Sequence, residues 1–352
     1  MNKRLYDYYL PKKLLAKKPA SPRDHSKIFI YETKTDKIFF DKFLNIDKYL
    51  PKNSFLVLNN TQVVPARVTM KKITGGKVEA LFLINEINKF REEKLINILV
   101  DRKVKIGDKL FFNQEDFVAV IDQNKNIFQV KFNFSYEKLF YLLEKYGVMP
   151  VPLYLKDTPL SKDKLLKKYQ TVFAQKKGSV AAPTASLHFT NRVFKKLKRM
   201  GIKKYFVTLH VGMGTFAPIT EENLKTKKLH QEYYQVEKEV WERILKEKNE
   251  GKKLVAVGTT TVRTLESFAQ YENFVFLQNN IFKTDLFIFP PFEFKMVDVL
   301  ITNFHLPNSS LMMLVEAFLQ FKKAKKHLVD LYNIAIKNEF RFYSFGDSMI
   351  IK

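Results

Sequence analysis

The sequence predicts an α/β protein interrupted by a small antiparallel β-barrel. Three observations carry this. Residues 1–65 and 151–352 alternate short apolar strands with amphipathic helices. Residues 66–150 instead run as closely spaced strands with turn signals between them and a single helix at the end. The apolar strands of the outer segments end in Asn, Thr and His, at the position where α/β folds place their chemistry. The expected organisation is a discontinuous catalytic domain, 1–65 with 151–352, and an inserted barrel domain, 66–150. A length of 352 residues admits both.

The elements follow in order. Residues 27–32 (KIFIYE) and 37–40 read as a strand pair across a turn, and 54–58 (SFLVL) as a buried strand ending in Asn59, Asn60 and Thr61. In the insert, 67–73 and 77–84 flank Gly75-Gly76 as a hairpin. Residues 94–100 add a strand, and Ile106-Gly107-Asp108 turns the chain into 109–112. A second hairpin, 116–121 with 126–132, is expected across Gln123-Asn124. Residues 136–146 are helical, with Leu139, Leu142 and Leu143 on one face and a stop at Gly147. Beyond 151, strands are expected at 204–210, 254–257 and 297–301. Helices are expected at 238–250, 261–270 and 309–321, and a final strand pair at 340–344 and 348–351. This alternation fits an α/β layer or an α/β barrel.

Composition narrows the function. There is no Cys, which excludes disulfides, Cys-ligated zinc and iron–sulfur clusters. No apolar run is long enough for a membrane helix, and the N-terminal MNKRLYDYYLPKKLLAKKP has no apolar core of a signal peptide. A cytoplasmic protein is the expectation. The net charge is +25, which draws polyanions and makes their binding salt-dependent. Lysines cluster at Lys162, Lys164, Lys167, Lys168, Lys176 and Lys177, again at Lys195, Lys196, Lys198 and Arg199, and near the C-terminus at Lys322, Lys323, Lys325 and Lys326. Such runs are more often solvated helix faces than binding surfaces.

Between these lysines lies GSVAAPTASLHFT, residues 178–190, small and uncharged but for His188. Small residues permit close backbone approach, so this segment reads as a pocket wall. Residues 208–218 (TLHVGMGTFAP) present His210 and Thr215 at a strand end; the lone G-x-G completes no dinucleotide fingerprint. Residues 257–267 (VGTTTVRTLES) open a helix with three threonines, any of which can cap it, and with Arg263 this makes an anion site for a carboxylate or phosphate. The competing reading is simple capping. In 298–318 (DVLITNFHLPNSSLMMLVEAF), Asn303 and His305 share a face at the end of a strand, and Asn308 or Ser309 caps the next helix. His188, His210, His230 and His305 match no zinc spacing. Asp298, Asp347 and Arg341 read as structural charges in need of partners.

Taken together, these segments resemble the S-adenosylmethionine:tRNA ribosyltransferase-isomerase family of queuosine biosynthesis. The resemblance runs from DYYLP (7–11) and LVLNNTQVVPAR (56–67) through YQTVFAQKKGSVAAPTASLHF (169–189), 208–218, HQEY (230–233) and 257–267. It continues through TDLFIFPPFEFKMVD (284–298) and 302–317 to FRFYSFGDSMII (340–351). Ser186, Met213, Pro291 and Lys17 depart from the residues usual in the family.

The resemblance implies a barrel-like mixed α/β catalytic domain with an inserted small antiparallel β-barrel. It also implies transfer and isomerisation of the ribosyl moiety of S-adenosylmethionine onto 7-aminomethyl-7-deazaguanine at the tRNA wobble position. The products are epoxyqueuosine-tRNA, adenine and methionine. S-adenosylmethionine is then a co-substrate and no separate cofactor or metal is implied; the partners are that donor and the precursor tRNA, with no membrane and no protein partner, the chain acting as a monomer. The acid/base candidates are His188, His210 and His305, since imidazole suits removal of the 5′ proton that the sulfonium acidifies. Asn60, Arg67, Thr184, Thr215, Thr260, Arg263 and Asn303 are the candidates for holding substrate, Arg263 and Thr260 at the methionine carboxylate. Lys167, Lys168, Lys176 and Lys177 are the candidates for RNA phosphates. A non-catalytic tRNA-binding protein and an S-adenosylmethionine-dependent methyltransferase are the other two classes; the latter would show a Gly-rich loop after its first strand, and none is present.

Overall fold

The computed structural model describes residues 6–89, 93–212, 219–270 and 280–352. In chain order, the opening segment forms β1 (Lys27–Glu32), β2 (Lys37–Lys42), β3 (Ser54–Asn59) and β4 (Thr61–Val63). The β-rich middle forms β5 (Arg67–Lys72), β6 (Lys77–Phe82), β7 (Leu95–Val100), β8 (Lys109–Phe111), β9 (Phe117–Asn124), β10 (Ile127–Phe132), α1 (Tyr136–Tyr146) and β11 (Gly147–Val148). The remainder begins with α2 (Lys162–Lys168), β12 (Lys176–Ser179), α3 (Asn191–Arg199), β13 (Lys203–Leu209), α4 (Glu221–Thr226), β14 (Lys228–Gln235) and α5 (Lys238–Asn249). It ends with β15 (Lys253–Val257), α6 (Thr259–Phe268), β16 (Ile281–Leu286), β17 (Val299–Asn303), α7 (Ser310–Phe321), α8 (Leu328–Lys337) and β18 (Ser348–Ile351).

Nine strands form one mixed sheet in the order β16-β14-β13-β3-β15-β17-β18-β1-β2. Its centre, β13-β3-β15-β17, is parallel throughout. All six residues of β3 (SFLVLN) are buried, as a strand covered on both faces requires. Alternate residues serve alternate cores. Phe55, Val57, Val207, Leu209, Leu254, Ala256 and Leu300 pack under α5–α8. Leu56, Leu58, Val255, Val257, Val299 and Ile301 pack with Val193 and Leu197 of α3.

The insert closes a six-stranded antiparallel barrel, β5-β6-β7-β10-β9-β8 and back to β5. Period-two alternation fills it with Val68, Met70, Val78, Ala80, Phe82, Ile96, Ile98, Val118 and Val130, while Leu139, Leu142 and Leu143 of α1 join the same core. Closure removes the edge strands that short, exposed strands would otherwise present. Helix α1 ends at Gly147, where the chain turns extended, and only Gly fits there: a Cβ would sit 1.8 Å from the Pro65 carbonyl oxygen.

Three expectations need correction. The β9–β10 turn lies at Lys125-Asn126, not Gln123-Asn124, since Ile127 pairs with Asn124 and Lys125 takes φ +55°. Residues 340–344 are not a strand: Tyr343 has φ +72°, and Asp347 gathers the segment into a loop by accepting the Arg341 N–H at 2.8 Å while its own N–H returns to the Arg341 carbonyl at 2.8 Å. Strand β18 therefore pairs with β1 and β17 instead. Helix α6 begins at Thr259, with Gly258 at its N-cap and no side-chain cap; Thr261 Oγ donates back to the Val257 carbonyl at 2.7 Å. The structural charges find their partners, Arg341 with Asp347 at 2.8 Å and Lys248 with Asp298 at 2.9 Å. No helix of the described residues is long and apolar enough to cross a membrane.

Glu266 on α6 ties that helix to the chain leading into β17. Its buried carboxylate accepts the N–H groups of Lys295, Met296 and Val297 at 2.9–3.1 Å. Replacing Glu266 by Ala strands three donors, so stability should fall by about 3 kcal/mol or more in urea denaturation. A loss below about 1 kcal/mol would show that these bonds do not anchor the segment.

Candidate functional site

The carboxyl ends of β13, β3, β15 and β17 lie along one edge of the sheet, and most of the sequence candidates gather there. Backbone and side-chain polar groups at this edge are buried and must be satisfied internally. Asn59 does most of this. Its Oδ1 accepts the N–H groups of Thr61 (3.0 Å) and Leu209 (3.1 Å), and its Nδ2 donates to the Leu209 carbonyl (3.0 Å) and Thr260 Oγ (3.2 Å). Asn60 is likewise occupied, accepting from Thr208 Oγ at 2.7 Å.

Beside Asn59, a cavity of about 720 Å³, its mouth included, opens among residues 182–185, the Gly258–Thr260 turn, the end of β17 and the start of α7. Thr184, Thr260, Asn303 and His305 of the sequence candidates line it. So do Tyr154, Ser309, Tyr343 and Ser344, which sequence reasoning missed. Tyr154 and Tyr343, with ring centroids 4.8 Å apart and planes inclined at 56°, make an aromatic corner of the cavity. The only signal for Tyr343 lay in the 340–351 segment; Tyr154 had none. None of the described residues lining the cavity carries a formal charge at neutral pH, and the N-termini of α6 and α7 both open onto it. Those ends bring unpaired N–H groups and the positive end of each helix dipole.

The three histidines separate. His305 lines the cavity; its Nε2 lies 2.8 Å from Thr302 Oγ, its N–H donates to the Tyr332 hydroxyl, and its carbonyl accepts from the Tyr8 hydroxyl. His188 stands one layer behind. Its Nδ1 meets Ser26 Oγ at 2.8 Å and its Nε2 meets Asn303 Nδ2 at 3.3 Å. Asn303 Nδ2 also donates to the Asp347 carbonyl at 3.3 Å, so its amide is oriented with Oδ1 left over, buried and unpartnered. His188 thus acts on the cavity through Asn303. His210 packs against Gly178, where a Cβ would meet its ring at 2.8 Å, and meets Thr61 Oγ at 2.9 Å. The small-residue segment has two uses: Gly178 admits the His210 ring, and Ala182, Pro183, Thr184 and Ala185 form the cavity wall. Ser186, behind that wall, buries a hydroxyl with no partner.

A second, smaller pocket of about 420 Å³ shares Thr259, Thr260 and Leu311 with the first. Arg263 lines it together with His230, Glu232 and Ser310. Arg263 forms a short buried ion pair with Glu232 and donates Nε to the Leu286 carbonyl at 3.1 Å; its Nη2 is buried without a partner. Glu232 also accepts the Gly212 N–H at 2.8 Å, so the pair joins α6, β14 and the chain after β13.

The other candidates lie elsewhere. Arg67 is in the barrel, paired to Glu79 at 2.6 Å. Lys176 faces Glu237 at 3.9 Å and Lys177 faces Glu144 at 2.5 Å, so both meet carboxylates on the surface. Lys167 and Lys168 end α2, where their carbonyls accept from Arg23. Thr215 and Met213 lie outside the described residues. Among the described residues, no group of three acidic or His side chains is placed to hold a metal ion.

Burial holds the histidines neutral. Desolvation lowers His305 to about 3 and His188 to about 4; for His188 the Asp347 charge opposes this and Arg341 and Arg23 add to it. Desolvation, with the Lys176 charge, lowers His210 to about 4. The unfolded chain therefore takes up protons below about pH 6.5 that the folded rings refuse, and stability falls as pH drops from there toward about 4. For His188 the loss from pH 7 to pH 5 is on the order of 2 kcal/mol. Urea denaturation at both pH values should show a drop that His188→Asn reduces by that amount. An unchanged drop in the variant would mean that the ring is charged in the fold.

A family model described as queuosine biosynthesis protein matches residues 3–351. Curated relatives named S-adenosylmethionine:tRNA ribosyltransferase-isomerase align almost end to end. The one from Thermosipho melanesiensis is 42% identical over 98% of each chain, and the one from Halothermothrix orenii 43% identical over 98% of each. The crystal structure of S-adenosylmethionine tRNA ribosyltransferase from Thermotoga maritima is 32% identical and covers 99% of this chain and 100% of that one, with a TM-score of 0.54. A mixed sheet with a closed six-stranded barrel, a cavity at its carboxyl edge and these full-length likenesses agree: the chain belongs to the queuosine biosynthesis protein family and is an enzyme of the S-adenosylmethionine:tRNA ribosyltransferase-isomerase kind.

Proposed function

We propose that the cavity takes S-adenosylmethionine and that the enzyme transfers and isomerises its ribosyl group onto 7-aminomethyl-7-deazaguanine at the tRNA wobble position. The products are epoxyqueuosine-tRNA, adenine and methionine. The observation that carries this reading is a cavity without formal charge that two helix N-termini face. A sulfonium held there finds no counter-ion, and the positive helix ends oppose it further. Its neighbouring 5′ C–H is then more readily deprotonated, and the neutral thioether of methionine is the better-tolerated product. The names of the relatives point to S-adenosylmethionine as the donor and to tRNA as the acceptor.

Each described group has a task in this reading. His305, in the tautomer that donates Nε2–H to Thr302, offers Nδ1 as the base for the 5′ proton. Asn303 Oδ1 accepts from a ribose hydroxyl or a base amine. Tyr154 and Tyr343 give a purine ring a face to lie on. Arg263 Nη2 and the first turn of α6 suit the methionine carboxylate. The tRNA amine is the nucleophile, so no covalent bond to the protein is needed. Action on tRNA makes the cytoplasm the expected setting, with the chain working as a monomer.

Incubation with S-adenosylmethionine and precursor tRNA tests the reading. Free adenine means ribosyl transfer; S-adenosylhomocysteine would mean methylation, and neither would mean binding alone. His305→Asn should lower adenine release about 10²-fold or more with the melting curve intact. Release at the wild-type rate would remove His305 from the chemistry.

A further inference from the structure

At the opposite, amino edge of the sheet, a groove of about 2030 Å³, open to solvent, runs between α3 and α5 over the first residues of β13. Lys195 and Lys198 face it from α3, and Arg243 and Lys246 from α5, each pair three residues apart and so on one helix face. Lys204 lies on its floor, its Nζ 4.1 Å from the Phe194 ring centroid. All five cations are exposed. None has a carboxylate partner among the described residues, whereas Lys196, Lys248, Lys326 and Lys352 nearby or elsewhere each have one.

The two acids in the groove are already taken. Glu247 meets Lys203 at 2.7 Å, Lys252 at 2.5 Å and the Tyr205 hydroxyl at 2.9 Å. Burial alone would raise its carboxyl, but these partners hold it down to about 2. Glu250 meets Lys252 at 2.8 Å. A lysine-rich composition explains many surface lysines. It does not explain four cations on facing walls and a fifth on the floor of one concavity, none with a carboxylate partner among the described residues, where they repel one another and the field is focused.

We propose that this groove holds the phosphate backbone of the tRNA body, outside the anticodon arm. Charge decides against a second copy of this chain, which carries +25 itself. Distance decides against the anticodon loop. Strand β13, seven residues long, separates the groove from the catalytic edge by about 20 Å, roughly the width of an RNA helix. A loop that delivers its base to the cavity cannot also lie in the groove. Phosphates of the body supply the polyanion without base readout, and Phe194 and Tyr205 give the sugar edge an apolar surface.

This rests on the tRNA reading of the cavity, and the two can fail separately. The test uses Lys195→Glu/Lys198→Glu and Arg243→Glu/Lys246→Glu, with melting curves as the check on folding. Fluorescence anisotropy is measured with full-length precursor tRNA and with its isolated anticodon stem-loop across a salt series. Each double variant should weaken full-length tRNA binding about tenfold or more and reduce the slope of log K against log salt by about 2. Stem-loop binding, kcat and the KM for S-adenosylmethionine should not change. Equal binding of full-length tRNA by variant and wild type, or an equal loss with the stem-loop, would overturn the groove assignment. A wild-type protein that binds tRNA but releases no adenine would overturn the catalytic reading and leave the groove standing.

Discussion

Everything at the carboxyl edge of the sheet depends on one constraint: polar groups buried at the ends of four neighbouring parallel strands must find partners inside the protein. Asn59 meets that demand for β3, β13 and α6 at once, and Asn60, Thr208 and Thr261 complete it. The atoms left over are then informative. Asn303 Oδ1 borders one pocket and Arg263 Nη2 the other, each buried and each without a partner. Among the residues lining the two pockets, these are the groups whose hydrogen-bonding capacity the fold leaves over, and the proposed function uses both.

Electrostatics divides the molecule in the same way. The surface carries the +25 charge, while the cavity is lined without formal charge and its histidines are held neutral by burial. In the neighbouring pocket the charge of Arg263 is balanced by Glu232. Removing either partner would strand a buried charge, so the pair fixes α6 against β14 as well as bordering the pocket. Positive charge is thus concentrated on the exterior, while the cavity lining of described residues is neutral.

The barrel belongs to this geometry too. It leaves the sheet after β3 and β4, at the carboxyl edge, and the returning chain pairs β12 with β4 beside the exit. Asn85, from the turn after β6, approaches Gly212 so closely that a Cβ there would lie 2.8 Å from its amide nitrogen. A separate core inside the closed barrel lets this insert hold its own shape while its base is fixed next to the site.

The sequence by itself determined the fold class and many of its elements. Hydrophobic period, turn residues and stop glycines placed β1, β3, α1, α5 and most barrel strands within a residue or two, because those signals are local, though β9 runs three residues past the expected 116–121. It also marked 178–190 as a wall and 302–305 as a strand end, and both segments border the cavity. It missed β14 and β16, since LHQEYYQ and IFKTDL owe their strand form to neighbours across the sheet, and it read 340–344 as a strand because the Asp347 contacts that bend it are not visible as a pattern. Only the tertiary structure decided which of three similar histidines meets the cavity, that Arg67, Lys176 and Lys177 are turned toward carboxylates, and that Asn59 rather than Asn60 braces the edge. The reason is physical: residue type and spacing set what a side chain can do, but its direction and its partner come from strands far apart in the chain that the sheet brings side by side.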